Sequence, residues 1–121
     1  MMLDWNAYRD QINSAVKEIS AANPDIVKAY AGFHHANAKS TRLDAKMREL
    51  IALGVAISLR CDGCINAQTD AAIKAGATKE EIVDALGVAI MVNAGAAMVY
   101  SARTIDAYDA KTRGAIALSS T

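Results

Sequence analysis

Glu49-Leu-Ile-Ala-Leu-Gly-Val-Ala-Ile-Ser-Leu-Arg60-Cys61-Asp-Gly-Cys64-Ile-Asn-Ala-Gln68 is the stretch that holds both cysteines of the 121-residue chain, spaced Cys-x-x-Cys. An acidic residue precedes the pair within an apolar run, and an amide follows the second cysteine after four residues. Two thiols at this spacing can close a small disulfide, bind a metal or pack in a core. The cysteine pair alone leaves these three possibilities open.

The composition favours a single helical domain over residues 1–121. Hydrophobic residues make up 53% of the chain, aromatic residues only 5%, and Pro24 is the one proline. Alanine, the best helix former, is abundant, and a chain of this length predicts one domain. Lysine plus arginine and aspartate plus glutamate number 13 each, without a cationic cluster. Nucleic acid is therefore not an expected partner, because its binding depends on neutralising phosphates.

Apolar residues recur at three- and four-residue steps along most of the chain. This spacing predicts an all-α fold, a compact domain of about six antiparallel helices. The predicted helices cover about 5–21, 24–39, 45–59, a stretch that stops at Gly76, 78–92 and 96–111. The tail from Thr112 onward has little amphipathic pattern.

The ends of these helices have recognisable signals. Asn23-Pro24 suits a helix start, and Asp44 can cap the next helix after a break over Ser40–Leu43. Thr78 has a glutamate three residues later, which is the capping-box spacing. Gly76 is a good left-handed terminator, and Asn93–Gly95 is expected to bend or end a helix.

Two helices are apolar on nearly all sides, from Ala45 to Leu59 and from Ala85 to Tyr100. Such helices are expected to be buried. The second run is interrupted by Asn93 and is shorter than the ~20 residues that a membrane span needs, which predicts a core helix and no membrane. Because one small domain cannot enclose this much apolar surface, we expect further copies of the chain to cover it.

The first residues, Met1-Met-Leu-Asp-Trp-Asn, show no basic segment followed by an apolar one, as a secretory leader would have. The sequence therefore predicts a soluble cytoplasmic protein. In that reducing compartment a Cys-x-x-Cys pair is more often catalytic or metal-binding than structural.

If Cys61 begins a helix, its sulfur faces unpaired N–H groups and the positive end of the helix dipole, which favours the thiolate. Gly63 would allow a tight turn, Arg60 adds positive potential and Asp62 opposes it. Glu49, 12 residues upstream in an apolar run, is suited to taking up and returning protons. The alternative is a surface glutamate that pairs with a neighbour such as Lys46.

Three segments together resemble the carboxymuconolactone decarboxylase family, and within it the branch related to the alkylhydroperoxidase AhpD. They are Leu43-Asp-Ala-Lys-Met-Arg-Glu49-Leu-Ile-Ala-Leu, Arg60-Cys61-Asp-Gly-Cys64-Ile and Ala71-Ala-Ile-Lys-Ala-Gly76-Ala-Thr-Lys-Glu-Glu-Ile82. The resemblance covers about 24–108. It implies an all-helical subunit that assembles into trimers or hexamers.

The resemblance also implies a reaction. In AhpD-like proteins the glutamate at the position of Glu49 and a histidine four residues after the second cysteine form a proton relay with the cysteine pair. Cys64 would attack a hydroperoxide, and Cys61 would resolve the sulfenic acid into a disulfide. An external dithiol, thioredoxin-like or lipoyl, would then restore the pair. No further cofactor and no metal is expected.

The sequence departs from this pattern at two positions. Gln68 stands where the relay histidine is expected, and an amide does not titrate. Gly63 stands where AhpD has a second histidine. His34 and His35, the only histidines of the chain, are therefore candidate substitute bases on the second helix. Tyr100 is a weaker candidate for a hydrogen-bonding role.

Other functions stay open at this point. Lactone decarboxylation, the namesake activity, does not need a redox pair. A non-catalytic helical assembly could use the cysteines to sense redox state or to pack, and Gln68 favours this alternative. A zinc site would need His34, His35 or Glu49 to complete the ligands, because two cysteines fall short of four.

Overall fold

The computed structural model describes residues 1–39 and 41–119, and every regular element in these residues is an α-helix. The all-helical prediction is confirmed, with five helices in place of about six. They are α1 (Trp5–Ala22), α2 (Pro24–Ala38), α3 (Ala45–Ser58), α4 (Asp62–Lys74) and α5 (Lys79–Ser119).

Most of the predicted helix ends are confirmed. The Asp44 carboxylate accepts a hydrogen bond from the Met47 N–H at 2.8 Å, and Thr78 and Glu81 form the reciprocal bonds of a capping box at 3.1 and 2.9 Å. Gly76 follows the end of α4 in the left-handed conformation, with φ +88°. Asn23 precedes α2 without a side-chain cap hydrogen bond. Of the predicted break over 40–43, residues 41–43 are non-helical and Ser40 lies outside the described residues.

The predicted interruption at Asn93–Gly95 was wrong, because α5 is continuous over 41 residues. The Asn93 amide donates to the Ala89 carbonyl at 2.8 Å, one turn back on the same helix, and to Ser58 Oγ at 2.9 Å on α3. These bonds satisfy the polar side chain inside the helix. The predicted tail is helical as far as Ser119, and residues 120–121 lie outside the described part of the chain.

Helices α3 and α5, which are separated along the chain by α4, lie side by side and run parallel. Lys46 pairs with Glu81, Gly54 faces Ala89, and Ser58 meets Asn93. The partners in each pair are 35 positions apart in sequence, a constant register that only parallel helices give. Helix α4 connects the two and packs on α3 and α1, and α2 packs on α1.

Few apolar side chains are buried among the residues that the structure describes. Four apolar side chains are buried, namely Leu53, Ala56, Ala72 and Ala89. The expectation that α3 and the 85–100 segment are buried was wrong for the single chain, because Ile51 and Val55 are half-exposed and 90–100 is almost wholly exposed. By length and composition alone, the Lys79–Gly114 part of α5 could cross a membrane.

Candidate functional site

The connection between α3 and α4 places the cysteines. After the last turn of α3, the Arg60 N–H bonds to the Ile57 carbonyl at 3.2 Å and the Cys61 N–H to the Ala56 carbonyl at 3.0 Å. This is the Schellman pattern, which puts Arg60 in the left-handed region at φ +54°. A residue with a side chain costs about 1–2 kcal/mol there, and the chain accepts that cost directly before Cys61.

Cys61 is the N-cap of α4, so the condition considered from the sequence, that Cys61 begins a helix, is met. Its sulfur accepts a hydrogen bond from the Cys64 N–H at 3.1 Å, and the two cysteines form a disulfide with Cα atoms 5.2 Å apart. Cys64 is exposed and Cys61 half-buried. Of the three possibilities for the pair, the structure contains the disulfide, which bridges the first turn of α4.

Helix α1 packs against the start of α4. A Cβ at Gly63 would lie 3.1 Å from Ile12 Cδ1, so the missing side chain permits this close approach. The absence of a side chain at Gly63 therefore allows α1 to pack closely against α4. The tight turn that was predicted at Gly63 occurs at Arg60 instead. The buried Asn66 donates to the Trp5 carbonyl, which ties α4 to the first residue of α1.

A cavity of about 720 Å³ lies between α2 and α3 and reaches α4 at Gln68; we term it the polar cavity. It brings together His34, His35, Glu49 and Gln68, four of the seven candidate site residues named from the sequence. The other lining residues are Tyr30, Phe33, Asn37, Ala38, Leu43, Arg48, Ile51 and Ala52.

The two cysteines do not line this cavity. Gln68 follows Cys64 by four residues on α4, which is about 6 Å along the helix axis, so the cavity ends one turn from the disulfide. The sequence therefore identified two neighbouring parts of one region, joined by the first turns of α4.

Glu49 has an unusual environment in the cavity wall. Its Oε2 atom is buried and has no hydrogen-bond partner among the described residues. The alternative pairing with Lys46 does not form, because Lys46 bonds to Glu81 Oε2 at 2.7 Å. A buried carboxylate oxygen without a partner is unfavourable for stability, and such groups often have a chemical role.

The histidines lie on the opposite wall. The His34 ring meets the Tyr30 ring edge-on, with centroids 5.0 Å apart, and both His34 and His35 are exposed. Arg48, on the α3 wall, donates to the Leu43 carbonyl at 2.6 Å. A carboxyl group, two imidazoles and a guanidinium thus line the same cavity as two aromatic rings.

A second cavity of about 790 Å³ lies between α3 and α5; we term it the apolar groove. Its walls are mainly aliphatic, and Ile51 also belongs to the polar cavity. The residues from α3 and its C-cap are Met47, Leu50, Ile51, Gly54, Val55, Ser58 and Leu59, and those of α5 are Glu81, Asp84, Ala85, Val88, Ala89, Val92, Asn93 and Ala96.

An ion pair between Lys46 and Glu81 joins the two helices beside the groove. The hydrogen bond from the Lys46 ammonium lowers the pKa of Glu81, and the Thr78 N–H contributes to the same effect. The reciprocal bond to Glu81 raises the pKa of Lys46. Both ionised forms are therefore favoured in the folded chain.

No cluster of three or more His, Cys, Asp or Glu side chains that could hold a metal ion occurs within residues 1–39 and 41–119. His34, His35 and Glu49 line the polar cavity, whereas the two cysteines do not.

Residues 24–107 match the carboxymuconolactone decarboxylase family. The chain therefore belongs to this family. The match covers almost the same segment as the sequence resemblance. The matched residues make up most of the chain, while the whole of α1 and the end of α5 lie outside them.

Similar proteins agree with this assignment. An uncharacterized protein of Haemophilus influenzae is 41% identical over 108 residues, 89% of this chain and 96% of that protein. The crystal structure of an apo carboxymuconolactone decarboxylase family protein from Legionella pneumophila has a TM-score of 0.70 and 28% identity, covering 81% and 88% of the two chains. A Methanobacterium thermoautotrophicum structure has a TM-score of 0.67 and 25% identity, covering 74% and 97%.

Sequence reasoning missed part of this family member's site. Tyr30, Phe33 and Asn37 line the polar cavity, and Asn66 is buried against α1. The first three, with His34, recur at three- and four-residue steps on α2, so helical periodicity could have placed them on one wall. Nothing in the sequence indicates that Asn66 bonds to a residue 61 positions away.

Proposed function

We propose that this protein is a thiol-dependent oxidoreductase of the AhpD type, which reduces organic hydroperoxides through Cys61 and Cys64. The observation that carries the proposal is the Cys61–Cys64 disulfide at the N-terminus of α4, one turn from the polar cavity. A disulfide in the first turn of a helix, with one exposed sulfur-bearing residue, is accessible to exchange with an external thiol.

The catalytic cycle starts from the reduced pair. The Cys64 thiolate attacks the terminal oxygen of the hydroperoxide and the O–O bond breaks, so Cys64 becomes a sulfenic acid and the leaving alkoxide takes a proton as the alcohol. The Cys61 thiol then attacks the Cys64 sulfur, loses its proton and releases water. A dithiol reductant, thioredoxin-like or lipoyl, supplies two electrons and two protons to restore both thiols.

The two cysteines have different surroundings, which supports different roles. Cys64 is the more exposed residue and is the one that a substrate or reductant reaches first. The Cys61 sulfur accepts a hydrogen bond from the Cys64 N–H at 3.1 Å, at the N-terminus of α4. This N–H and the helix dipole would stabilise the negative charge on the Cys61 sulfur as it leaves when a reductant attacks Cys64.

The polar cavity would supply binding and proton transfer. Its volume of about 720 Å³ is in the range of small-molecule sites, and its aromatic rings suit the organic part of a hydroperoxide. Glu49 would exchange protons with the reacting groups, and a histidine of α2 would substitute for the amide of Gln68. We place this chemistry in the cytoplasm in a soluble protein, where dithiol reductants keep cysteines reduced.

The experiment mixes fully reduced protein with one equivalent of an organic hydroperoxide and follows thiol loss by mass spectrometry. We expect rapid formation of the intramolecular disulfide. Cys64→Ser should abolish hydroperoxide consumption, and Cys61→Ser, its matched control, should accumulate a sulfenic acid on Cys64. Protection from oxidation by Cys61→Ser alone would reverse the two roles.

Oxidation no faster than that of a free thiol would overturn hydroperoxide reduction. Exchange with a lipoyl or thioredoxin-like dithiol, measured in the same samples, would then distinguish a disulfide reductase from a sensor. If both cysteines can become serine without loss of a lactone decarboxylase activity, the namesake reaction replaces the proposal.

A further inference from the structure

Two helices of the chain end in the same hydrogen-bonded motif, but with different residues in the left-handed position. At the end of α4, Gly76 has φ +88° and its N–H bonds to the Ile73 carbonyl at 3.0 Å. At the end of α3, Arg60 has φ +54° and its N–H bonds to the Ile57 carbonyl at 3.2 Å. Glycine adopts this conformation without crowding, whereas the Cβ of arginine is close to the backbone. The fold therefore requires the left-handed conformation at Arg60 but not the arginine side chain.

The Arg60 side chain does not contribute to the packing of the chain. It is exposed and lines neither the polar cavity nor the apolar groove. Within residues 1–39 and 41–119 its guanidinium takes part in no ion pair and no hydrogen bond. Non-glycine residues in this conformation cluster at active sites and ligand-binding sites. The functional group that directly follows Arg60 is the Cys61–Cys64 disulfide.

The charge of Arg60 acts close to both sulfurs. Because consecutive Cα atoms are about 3.8 Å apart and those of Cys61 and Cys64 are 5.2 Å apart, the Arg60 Cα lies within about 9 Å of the Cys64 Cα. This distance is shorter than the Debye length of ~10 Å at 0.1 M salt. Asp62, which is also exposed, has the opposite charge, but it lies in the first turn of α4, where the helix N-terminus offsets part of that charge. The potential at the disulfide is therefore positive.

We propose that Arg60 selects the reductant of the Cys61–Cys64 disulfide by attracting a dithiol that carries a carboxylate. This role of Arg60 rests on the proposed function, and it adds the charge of the reductant. The attacking group is itself a thiolate, so the guanidinium favours its approach, and a second negative charge on the same molecule strengthens the attraction. A dithiol without a carboxylate lacks this additional attraction.

The reduction takes place in two exchange steps. One thiolate of the dithiol attacks the exposed Cys64 sulfur, the Cys61–Cys64 bond breaks, and Cys61 leaves as a thiolate that takes up a proton. The second thiol of the reductant then loses its proton and attacks the reductant sulfur of the mixed disulfide, which releases Cys64. The protein gains two electrons and two protons, and the dithiol becomes a cyclic disulfide. Arg60 contributes to the first step, in which the anionic reductant approaches from solution.

The test uses oxidised full-length protein and two reductants, dihydrolipoate and dihydrolipoamide. Both have the same dithiol and the same aliphatic chain, and they differ in a carboxylate against a neutral amide. The appearance of protein thiols is followed by mass spectrometry against time at low ionic strength. We expect the carboxylate to raise the rate about threefold, which is the factor for two unit charges about 6 Å apart in water.

Arg60→Gly should remove this preference, and Arg60→Lys, the matched control, should keep it. Because glycine suits the left-handed position, Arg60→Gly should melt at an unchanged or higher temperature, so unfolding would not explain the loss. Asp62→Asn should increase the preference, because it removes the opposing charge. An unchanged rate ratio in Arg60→Gly would overturn the proposal. Equal slowing with both dithiols would also overturn it, in favour of an effect of Arg60 on the cysteines themselves.

This reduction starts from the disulfide and needs no hydroperoxide, so failure of the proposed function can be recognised separately. If the reduced protein does not consume hydroperoxide while the rate ratio depends on Arg60, only hydroperoxide reduction is overturned. If neither dithiol reduces the disulfide, the selection by Arg60 is overturned as well. Salt at about 0.5 M should remove the preference in the unchanged protein, because it screens exposed charges. A preference that persists at this salt would contradict a role of charge.

Discussion

Helix α3 separates two cavities of nearly equal volume and opposite character. The polar cavity, about 720 Å³, contains a carboxylate, two imidazoles, a guanidinium and two amides. The apolar groove, about 790 Å³, is lined mainly by aliphatic side chains. Glu49 lies on one side of α3 and Leu50 on the other, while Ile51 contributes to both walls. Volume alone therefore does not identify a reactive site.

The difference lies in the kind of contact that each cavity lacks. In the polar cavity a carboxylate oxygen of Glu49 is buried without a partner, so the missing contact is a hydrogen bond or a proton. In the groove the exposed groups are mostly methyl and methylene, so the missing contact is apolar surface. We therefore expect substitutions on the two sides of α3 to change different measurements.

The largest expected effect is that of Glu49→Gln on the polar side. It keeps the size of the side chain and removes proton exchange, so hydroperoxide reduction should slow by about 10²–10⁴-fold. Stopped-flow measurement of hydroperoxide consumption tests this, with Glu80→Gln, on exposed α5 surface, as the control. A rate within twofold of the unchanged protein, at equal helicity, would exclude Glu49 from the reaction.

Val92→Asp, in the groove, should affect association. Burial of a carboxylate against a second copy should weaken self-association at least about 30-fold, equivalent to about 2 kcal/mol. Ile73→Asp on α4 is the control, because both residues are 60% exposed and Ile73 lines neither cavity. Sedimentation equilibrium measures the effect, and equal dissociation constants for the two variants would contradict the expectation that further copies of the chain cover the groove.

His34→Gln should lower the rate of hydroperoxide reduction about tenfold, because the amide cannot take up and return a proton. The edge-on contact with Tyr30 holds the His34 ring at the cavity wall. We therefore expect a larger loss of rate in His34→Gln than in His35→Gln, the matched control. In the His34→Gln background, Gln68→His should restore part of the rate. Unchanged rates in both single variants would rule out the α2 histidines.

The smallest expected effect concerns the ion pair beside the groove. The pKa of Glu81 is lowered by Lys46, so the stability from this pair is present at neutral pH and is lost as pH falls through that lowered value. The pKa of Lys46 is raised, so the same stability is also lost as pH rises through that raised value. Urea titrations across pH should lose both dependences in Glu81→Gln, with Glu80→Gln unchanged. Identical curves for the two variants would show that the pair contributes nothing measurable.

Local signals in the sequence were sufficient for much of the fold. Asp44, Thr78 and Gly76 end or begin helices through bonds within four residues, so their chemistry can be recognised without knowledge of the rest of the chain. Asn93 shows where such reasoning fails, because a residue typical of helix ends is retained inside α5 by a bond to Ser58.

The candidate site was predicted in part. The cysteine pair, Glu49 and Gln68 could be identified because they are close in sequence and carry recognisable chemistry. His34, His35 and Glu49 line one cavity because α1 and α4 pack so that α2 lies opposite α3. The periodicity of the sequence does not determine this packing. The order of the cysteine roles still rests on the resemblance and stays a prediction.

The sequence by itself determined the helices, the apolar excess and the Cys-x-x-Cys pair, because each follows from neighbours within a few turns. Only the tertiary structure decided that α3 and α5 run parallel in a fixed register, that Gly63 makes room for Ile12, and that α5 extends past its support. The physical reason is distance along the chain. A contact between residues 35 or 61 positions apart is selected by the packing of whole helices, and no local propensity encodes it.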